Sequence, residues 1–265
     1  MPSVRSIRAH APDDPPITML TAYDAQTAAI IDAAGVDAVL VGDSLGNTAL
    51  GYESTLPVTL AESLSHTAAV ARGVDDAVVI ADMPFLSFGV DTAASIRNAG
   101  RFIKEAGADA VKLESGPHTV ALTERLVSLG IPVQAHLGVT PQHLHTEGLT
   151  PAATTAEARE LLLEQATAQA DAGAFSLVLE YVPAAVAAAV TAAVDIPTIG
   201  IGSGPHCDGQ VLVTDDVIGL TTDPAPFARA FGDVRGELQR AVTAYREAVH
   251  TGSYPTESDS PDSIE

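Results

Sequence analysis

The chain of 265 residues is short of cysteine, lysine, positive charge and long apolar runs. Its single cysteine, Cys207, leaves no partner for an internal disulfide and no thiol cluster for zinc or an iron–sulfur centre. That usage fits a reducing compartment. No apolar run reaches the roughly 18 residues that a membrane span needs. The opening MPSVRSIRAHAPDDPP lacks the apolar core of a secretory signal, so a cytoplasmic protein is expected. Thirteen Lys and Arg stand against 34 Asp and Glu, a net charge of −21. Such a chain has no basic footprint for nucleic acid and no attraction to an anionic membrane surface. The apolar share, 46%, is nevertheless enough to bury a core and exclude a disordered chain.

Only two of the thirteen cations are lysines, Lys104 and Lys112. An acidic, lysine-poor surface suits very concentrated salt, where screening shortens the reach of self-repulsion. The plainer alternative is an acidic protein from a GC-rich genome. Lys112 stands out in either case, because it falls in an apolar strand, where a lysine costs most.

Strand-like runs alternate with Ala- and Glu-rich helical stretches. The strands are expected at 17–23, 37–43, 77–83, 108–114, 131–138, 174–180 and 197–203, with a short VIGL at 217–220. The helices are expected at about 24–35, 59–72, 91–106, 118–129, 155–172, 184–194 and 226–250. Several strands follow a glycine that ends a helix, as in AAGVDAVLV and EAGADAVKL. Continuous apolar strands separated by helices imply a parallel sheet covered by helices. Eight such units make a (β/α)8 TIM barrel. An open doubly wound sheet is the alternative, but no GxGxxG follows the first strand. No linker divides the chain, so residues 1–253 read as one barrel domain and 254–265 as an acidic disordered tail.

Alternation along barrel strands sorts residues into interior and helix-facing sets. Val39, Val41 and Asp43 share one parity, as do Val78, Ile80 and Asp82. The later strands place Lys112 with Glu114, Gln134 with His136, and Ser176 with Glu180. Each polar residue falls at the C-terminal end of its strand, the face where barrel enzymes build their sites. Four carboxylates in one mouth repel unless positive charge sits among them. Lys112 supplies one charge and a divalent cation the rest. Oxygen ligands favour a hard cation such as Mg2+ over zinc. Each acid alone has a plainer explanation. Asp43 can cap a helix, Asp82 and Glu114 can serve turns, Glu180 can pair with an arginine, and His136 can be a structural histidine. The glycine-rich IGIGSGPHCDG (199–209) offers either an anion-binding loop or a close-packed turn. His143 and His145 lie in a loop and are not read as metal ligands.

The segments TAYDAQTA, VGDSLGNTALGYESTLPVTL, VIADMPF, DAVKLESG, IPVQAHLGVTPQ, GAFSLVLEYVP and IPTIGIGSGPHCDGQVLV resemble, in order and spacing, the 3-methyl-2-oxobutanoate hydroxymethyltransferase family. The resemblance covers roughly residues 3–232. It implies a barrel of the phosphoenolpyruvate mutase/isocitrate lyase type. It further implies transfer of a hydroxymethyl group from 5,10-methylenetetrahydrofolate, or a related methylene-pterin, to 3-methyl-2-oxobutanoate through a Mg2+-stabilised enolate. The product, 2-dehydropantoate, leads to pantothenate and coenzyme A. By this resemblance Asp43, Asp82 and Glu114 hold Mg2+, and Asp43, Ser44, Asp82 and Lys112 bind the 2-oxo acid. The resemblance makes Glu180 the proton acceptor; His136 is a supporting candidate on its inward parity in the fifth strand alone. The family also implies a homo-oligomer, commonly a decamer.

Departures from the family pattern exist. EGLTPAATTAEA (147–158) is shorter than the usual glycine- and lysine-containing loop, Tyr181 stands where Cys is common, and Ser115 and Ser203 replace small residues. Rival readings are a C–C lyase or phosphonomutase of the same superfamily, and a catalytically dead barrel serving as an assembly or metabolite-binding subunit. The GYESTLP loop argues against the first and the intact carboxylates and Lys112 against the second.

The charge balance generates a prediction of its own. The melting temperature should rise steeply with KCl into the molar range, because screening relieves repulsion among exposed carboxylates. A melting temperature unchanged between low and molar salt, measured by circular dichroism, would show the acidity to be incidental.

Overall fold

The computed structural model describes residues 2–260. Among them, eight parallel strands close into a barrel in sequence order. They are β1 (Ile17–Thr21), β2 (Ala38–Val41), β3 (Val78–Asp82), β4 (Ala110–Glu114), β5 (Val133–Gly138), β6 (Ser176–Glu180), β7 (Thr198–Ile201) and β8 (Gly209–Leu212). The (β/α)8 expectation holds. β1 pairs with β8 to complete the ring, Met19 standing opposite Val211. The chain divides into two compact units, one ending at Thr214 and one beginning at Asp215, so every strand belongs to the first.

The eighth strand is not where its apolar run put it. Residues 214–217 are a helical turn, and the barrel closes instead through Gly-Gln-Val-Leu at 209–212. Val211 is the one side chain of this strand in the interior cluster, and the buried Gly209 lets β8 approach β1 closely. A Cβ on Gly209 would lie 2.5 Å from the Ile17 carbonyl oxygen. A strand chosen for backbone closeness carries little apolar signal, which is why composition pointed past it.

Helices cover the barrel at Ala25–Ala33, Leu60–Ala71, Thr92–Lys104, Val120–Ser128, Ala156–Asp171 and Ala184–Ala193. Their starts are set by local chemistry. Asp24 accepts from the N–H groups of Gln26 and Thr27, and Thr59 with Glu62 forms a reciprocal capping box. The interior layer contains Ile17, Met19, Ala38, Leu40, Val78, Ile80, Ala110, Val178, Ile199 and Val211. The outer layer joins Val39, Val41, Val79, Ala81, Val111 and Leu113 to helix side chains such as Leu64, Val70 and Phe102.

This sorting corrects one parity. In β2 the inward residues are Ala38 and Leu40, whereas Val39 and Val41 face the helices. Asp43 therefore reaches the mouth only because the strand ends at Val41 and the chain turns at Gly42. A Cβ on Gly42 would stand 2.6 Å from Ser44 Oγ, so a side chain there would displace the Ser44 hydroxyl.

The second unit carries a helix at Val234–Thr251, capped by Asp233 and ended by Gly252 in the left-handed region. It starts eight residues later than expected, and Val234, Leu238, Val242, Tyr245 and Val249 are exposed along it. Of the tail expected at 254–265, residues 261–265 lie outside the described residues, and Glu257–Asp259 forms a single 3-10 turn. No helix among the described residues is long and apolar enough to cross a membrane.

Gly138, at the end of β5, ties the barrel to its mouth. Its φ is +105°, and an added Cβ would lie 2.2 Å from the Glu180 carbonyl oxygen. Gly138→Ala should cost about 2 kcal/mol or more, from the unfavourable φ and the backbone clash together. That is a fall of roughly 5 °C in melting temperature for a chain of this size. Gly100→Ala, in the middle of Thr92–Lys104 with nothing within 4 Å, should instead stabilise, by up to about 1 kcal/mol. Equal melting temperatures for the two variants would contradict this account of Gly138.

Candidate active site at the barrel mouth

The C-terminal ends of the strands surround a cavity of about 110 Å³ lined by Thr21, Leu40, Asp43, Ser44, Thr55, Asp82, Lys112, Glu114, His136, Pro141 and Glu180, among others. Every site residue expected from the sequence is in this lining. A larger cavity of about 330 Å³ lies between the loops after β4 and β5 and the helix Ala156–Asp171. It holds none of the four carboxylates, so the smaller cavity is the chemical one.

Lys112 is the hub. Its ammonium meets Asp82 Oδ1 at 2.5 Å and lies 3.4 Å from His136 Nδ1. Burial opposes the charged ammonium, but Asp82 and Asp43 outweigh it and hold the Lys112 pKa above its ordinary value. Since the ammonium can only donate, Nδ1 of His136 is an acceptor and the ring proton sits on Nε2. That nitrogen stands 3.2 Å from Glu180 Oε2, short of hydrogen-bond alignment. Burial and the neighbouring Lys112 both lower the His136 pKa, so the ring is neutral.

The carboxylates differ in surroundings. Asp82 Oδ2 accepts the Asp43 backbone N–H at 3.1 Å, which fixes the turn after β2. Burial first and Asp82 second raise the Asp43 pKa to about 7. Burial, then Asp43, raise Glu114 to about 9. Glu180 is the most open of the set: its side chain is 20% exposed, against 5% for Asp82 and 3% for Glu114. Among the described residues no three His, Cys, Asp or Glu side chains stand ready grouped around a metal position.

Several contributors carried no sequence signal strong enough to select them. Tyr23 Oη is 2.8 Å from Ser44 Oγ, and Tyr23, Leu45 and Val58 form a small core beneath the loop after β2. Gln142, in the 3-10 turn Pro141–His143, donates from its side-chain amide to Asp43 Oδ2 at 2.9 Å and to the Met83 carbonyl at 3.1 Å. Its backbone N–H reaches both oxygens of Glu114, at 3.1 and 3.0 Å. The same turn brings His143 Nδ1 to 3.8 Å from Glu114 Oε2, so this loop histidine borders the site. The TPQ triplet was the visible trace of this strap.

The loops after β6 and β7 hold Glu180 in place. Tyr181 adopts φ +51°, and its N–H bonds to the Ile201 carbonyl at 2.8 Å. Ser203 Oγ donates to the Leu179 carbonyl at 2.7 Å, and Gly204 packs against Ala184. Within the glycine-rich 199–209 stretch Ser203 and Gly209 are buried, whereas Gly204, Pro205 and His206 are exposed. The shortened 147–158 loop closes onto the same place through the Ala152 N–H and the Tyr181 carbonyl, at 3.1 Å.

Comparison with known proteins gives a consistent picture. Residues 2–257 match the family model described as ketopantoate hydroxymethyltransferase. A 3-methyl-2-oxobutanoate hydroxymethyltransferase from Natronomonas pharaonis is 64% identical over 95% of this chain and 93% of its own length. The Haloarcula marismortui enzyme of the same name is 60% identical over 98% of this chain and 96% of its own. Among solved structures, phosphoenolpyruvate phosphomutase from Streptomyces platensis superposes with TM-score 0.62 at 14% identity, over 94% of this chain and 87% of that one. A 2,3-dimethylmalate lyase of the PEP mutase/isocitrate lyase superfamily gives TM-score 0.56 at 18% identity, over 100% and 92%. These structures share the fold.

The raised pKa values have a signed consequence. Asp43 and Glu114 bind protons more tightly folded than unfolded, so without a cation they stabilise the fold at low pH and lose that contribution as pH rises. Metal-free protein in molar KCl should therefore lose unfolding free energy from about pH 4 to about pH 9. Asp43→Asn should flatten the part of that slope between about pH 4 and about pH 7. Denaturant titrations at a series of pH values would show it; identical slopes for wild type and variant would contradict the assignment.

Proposed function

The chain belongs to the ketopantoate hydroxymethyltransferase family, and from that membership and the barrel-mouth chemistry we propose how its residues work. The reaction transfers a hydroxymethyl group from a methylene-pterin, 5,10-methylenetetrahydrofolate or a relative, to C3 of 3-methyl-2-oxobutanoate. The product is 2-dehydropantoate. The observation that carries the assignment of roles is the single cavity in which Lys112 links Asp82 to His136 while Glu180 stands at the open side.

The donor set fits a hard divalent cation. Asp43, Asp82 and Glu114 present only oxygen and are buried, and one ammonium, that of Lys112, stands against the three carboxyl groups. We read these three as the residues that would hold Mg2+. When bound, it supplies a Lewis acid for the keto oxygen and so lowers the pKa of the adjacent C–H. At about 110 Å³ the cavity is on the scale of a small 2-oxo acid, well below the roughly 300–1,000 Å³ of pockets for larger ligands. The bicyclic donor must then approach from the mouth.

Glu180 takes the proton from C3. Its side chain is 20% exposed, and Nε2 of the neutral His136 ring stands 3.2 Å from its Oε2 without adding positive charge. Lys112 places its ammonium in the cavity, where it meets the negative charge of the bound acid. Ser44, whose hydroxyl is oriented by Tyr23, stands beside Asp43 as a donor for the substrate carboxylate. The same reading places the protein in the cytoplasm as a homo-oligomer, and the apolar stripe along Val234–Thr251 is a surface that assembly would cover.

Deuterium exchange at C3 of 3-methyl-2-oxobutanoate isolates proton removal, since it needs no pterin. Glu180→Gln should leave binding of the acid with Mg2+ intact and slow exchange by about 10²-fold or more, the size of general-base loss. Lys112→Ala should impair both binding and exchange, and Lys112→Arg should not restore them, because a planar fork does not replace a compact ammonium. Wild-type exchange in Glu180→Gln would remove Glu180 as the base.

A further inference from the structure

The residue that ties the site together is neutral and comes from no barrel strand. Gln142 sits in the 3-10 turn Pro141–His143, directly after β5, and is 7% exposed. Its amide has two N–H bonds and spends them on two acceptors, Asp43 Oδ2 and the Met83 carbonyl oxygen. That pairing fixes the orientation of the amide, because a flipped group would set its oxygen against two other oxygens. Its backbone N–H meets both carboxylate oxygens of Glu114. One residue thus holds two carboxylates, one in the turn after β2 and one at the end of β4, strands that do not pair with each other.

We propose that Gln142 is a positioning residue for the cation site, selecting the oxygen of Asp43 that faces the cation and keeping Glu114 turned toward it. The proposal rests on the reading of Asp43, Asp82 and Glu114 as cation ligands. Its physical basis is geometric: the side-chain amide and the backbone N–H of one residue tie Asp43 and Glu114 to a single anchor. A charged donor would hold them too, but it would compete with the cation for the same oxygens. A neutral amide satisfies one lone pair of Asp43 Oδ2 without neutralising the carboxylate. Proline at 141, with its φ fixed, keeps the strap in register with both. Partners of this kind around metal ligands are worth about 10- to 100-fold in affinity when removed.

Direct Mn2+ titration followed by electron paramagnetic resonance tests this without turnover. Gln142→Met keeps the length of the side chain and the backbone N–H to Glu114 but loses both amide donors. Gln142→Asn keeps the amide but is one methylene too short to reach Asp43 and Met83 together, and serves if the Met variant folds poorly. Each folded variant should bind Mn2+ about 10-fold or more weakly than wild type, with a changed spectrum of the bound ion. A purely structural Gln142 would lower the melting temperature and leave Mn2+ affinity within twofold, and that result would overturn the proposal alone. Failure of the wild type to bind Mn2+ would overturn the cation reading, and the proposal with it.

Discussion

Four carboxylates and one lysine closed into the mouth of a barrel set the terms for everything around them. The Lys112–Asp82 contact is the only full ion pair among these five, and a buried pair of this kind is weak evidence of stability. Its desolvation cost is large, and removing either partner would strand the other. The arrangement therefore reads as one kept for chemistry. Lys112 divides its effect, compensating Asp82 on one side and keeping His136 neutral on the other. The remaining charge on Asp43 and Glu114 is balanced partly by protons, which is what their raised pKa values express.

The surrounding loops meet this constraint by fixing backbone. Asp43 is held by its own N–H to Asp82, Glu180 by Gly138 and the Ser203 turn, and Ser44 by Tyr23. None of these ties uses a formal positive charge. A mouth that already holds one ammonium among four carboxyl groups is framed by neutral donors, since a second fixed ammonium would occupy the carboxylates permanently. The 147–158 loop joins that frame through the Ala152 N–H and the Tyr181 carbonyl, and Tyr181 itself takes a left-handed conformation immediately after Glu180. Such a conformation in a non-glycine residue persists only where neighbours over-determine it.

What the sequence disclosed follows from the same physics. β3, β4, β5 and β6 are buried on both faces, so a polar residue in them has no innocent place to go. Asp82, Lys112, Glu114, His136 and Glu180 were legible for that reason. β2 misled because its alternation was carried two residues past its end. Asp43 arrives in the mouth through the Gly42 turn, and its match to Val39 and Val41 is a coincidence of counting. β8 was missed because close backbone approach, not side-chain hydrophobicity, recruits it. Gln142 and Tyr23 were passed over because a lone amide or phenol in a loop carries no charge that demands explanation; only the contacts reveal them.

The acidity of the surface and the acidity of the site are separate problems with separate solutions. The family relatives from Natronomonas and Haloarcula accord with a chain built for salt, and the exposed carboxylates are the ones that dissolved ions screen. Asp43, Asp82 and Glu114 are each less than a tenth exposed, so bulk salt cannot reach them in the same way. Raising the salt quiets the outside and leaves the repulsion in the mouth nearly untouched. The pocket must then carry its own counter-charge at any ionic strength. This explains why a chain with only two lysines keeps one of them at the centre of the barrel.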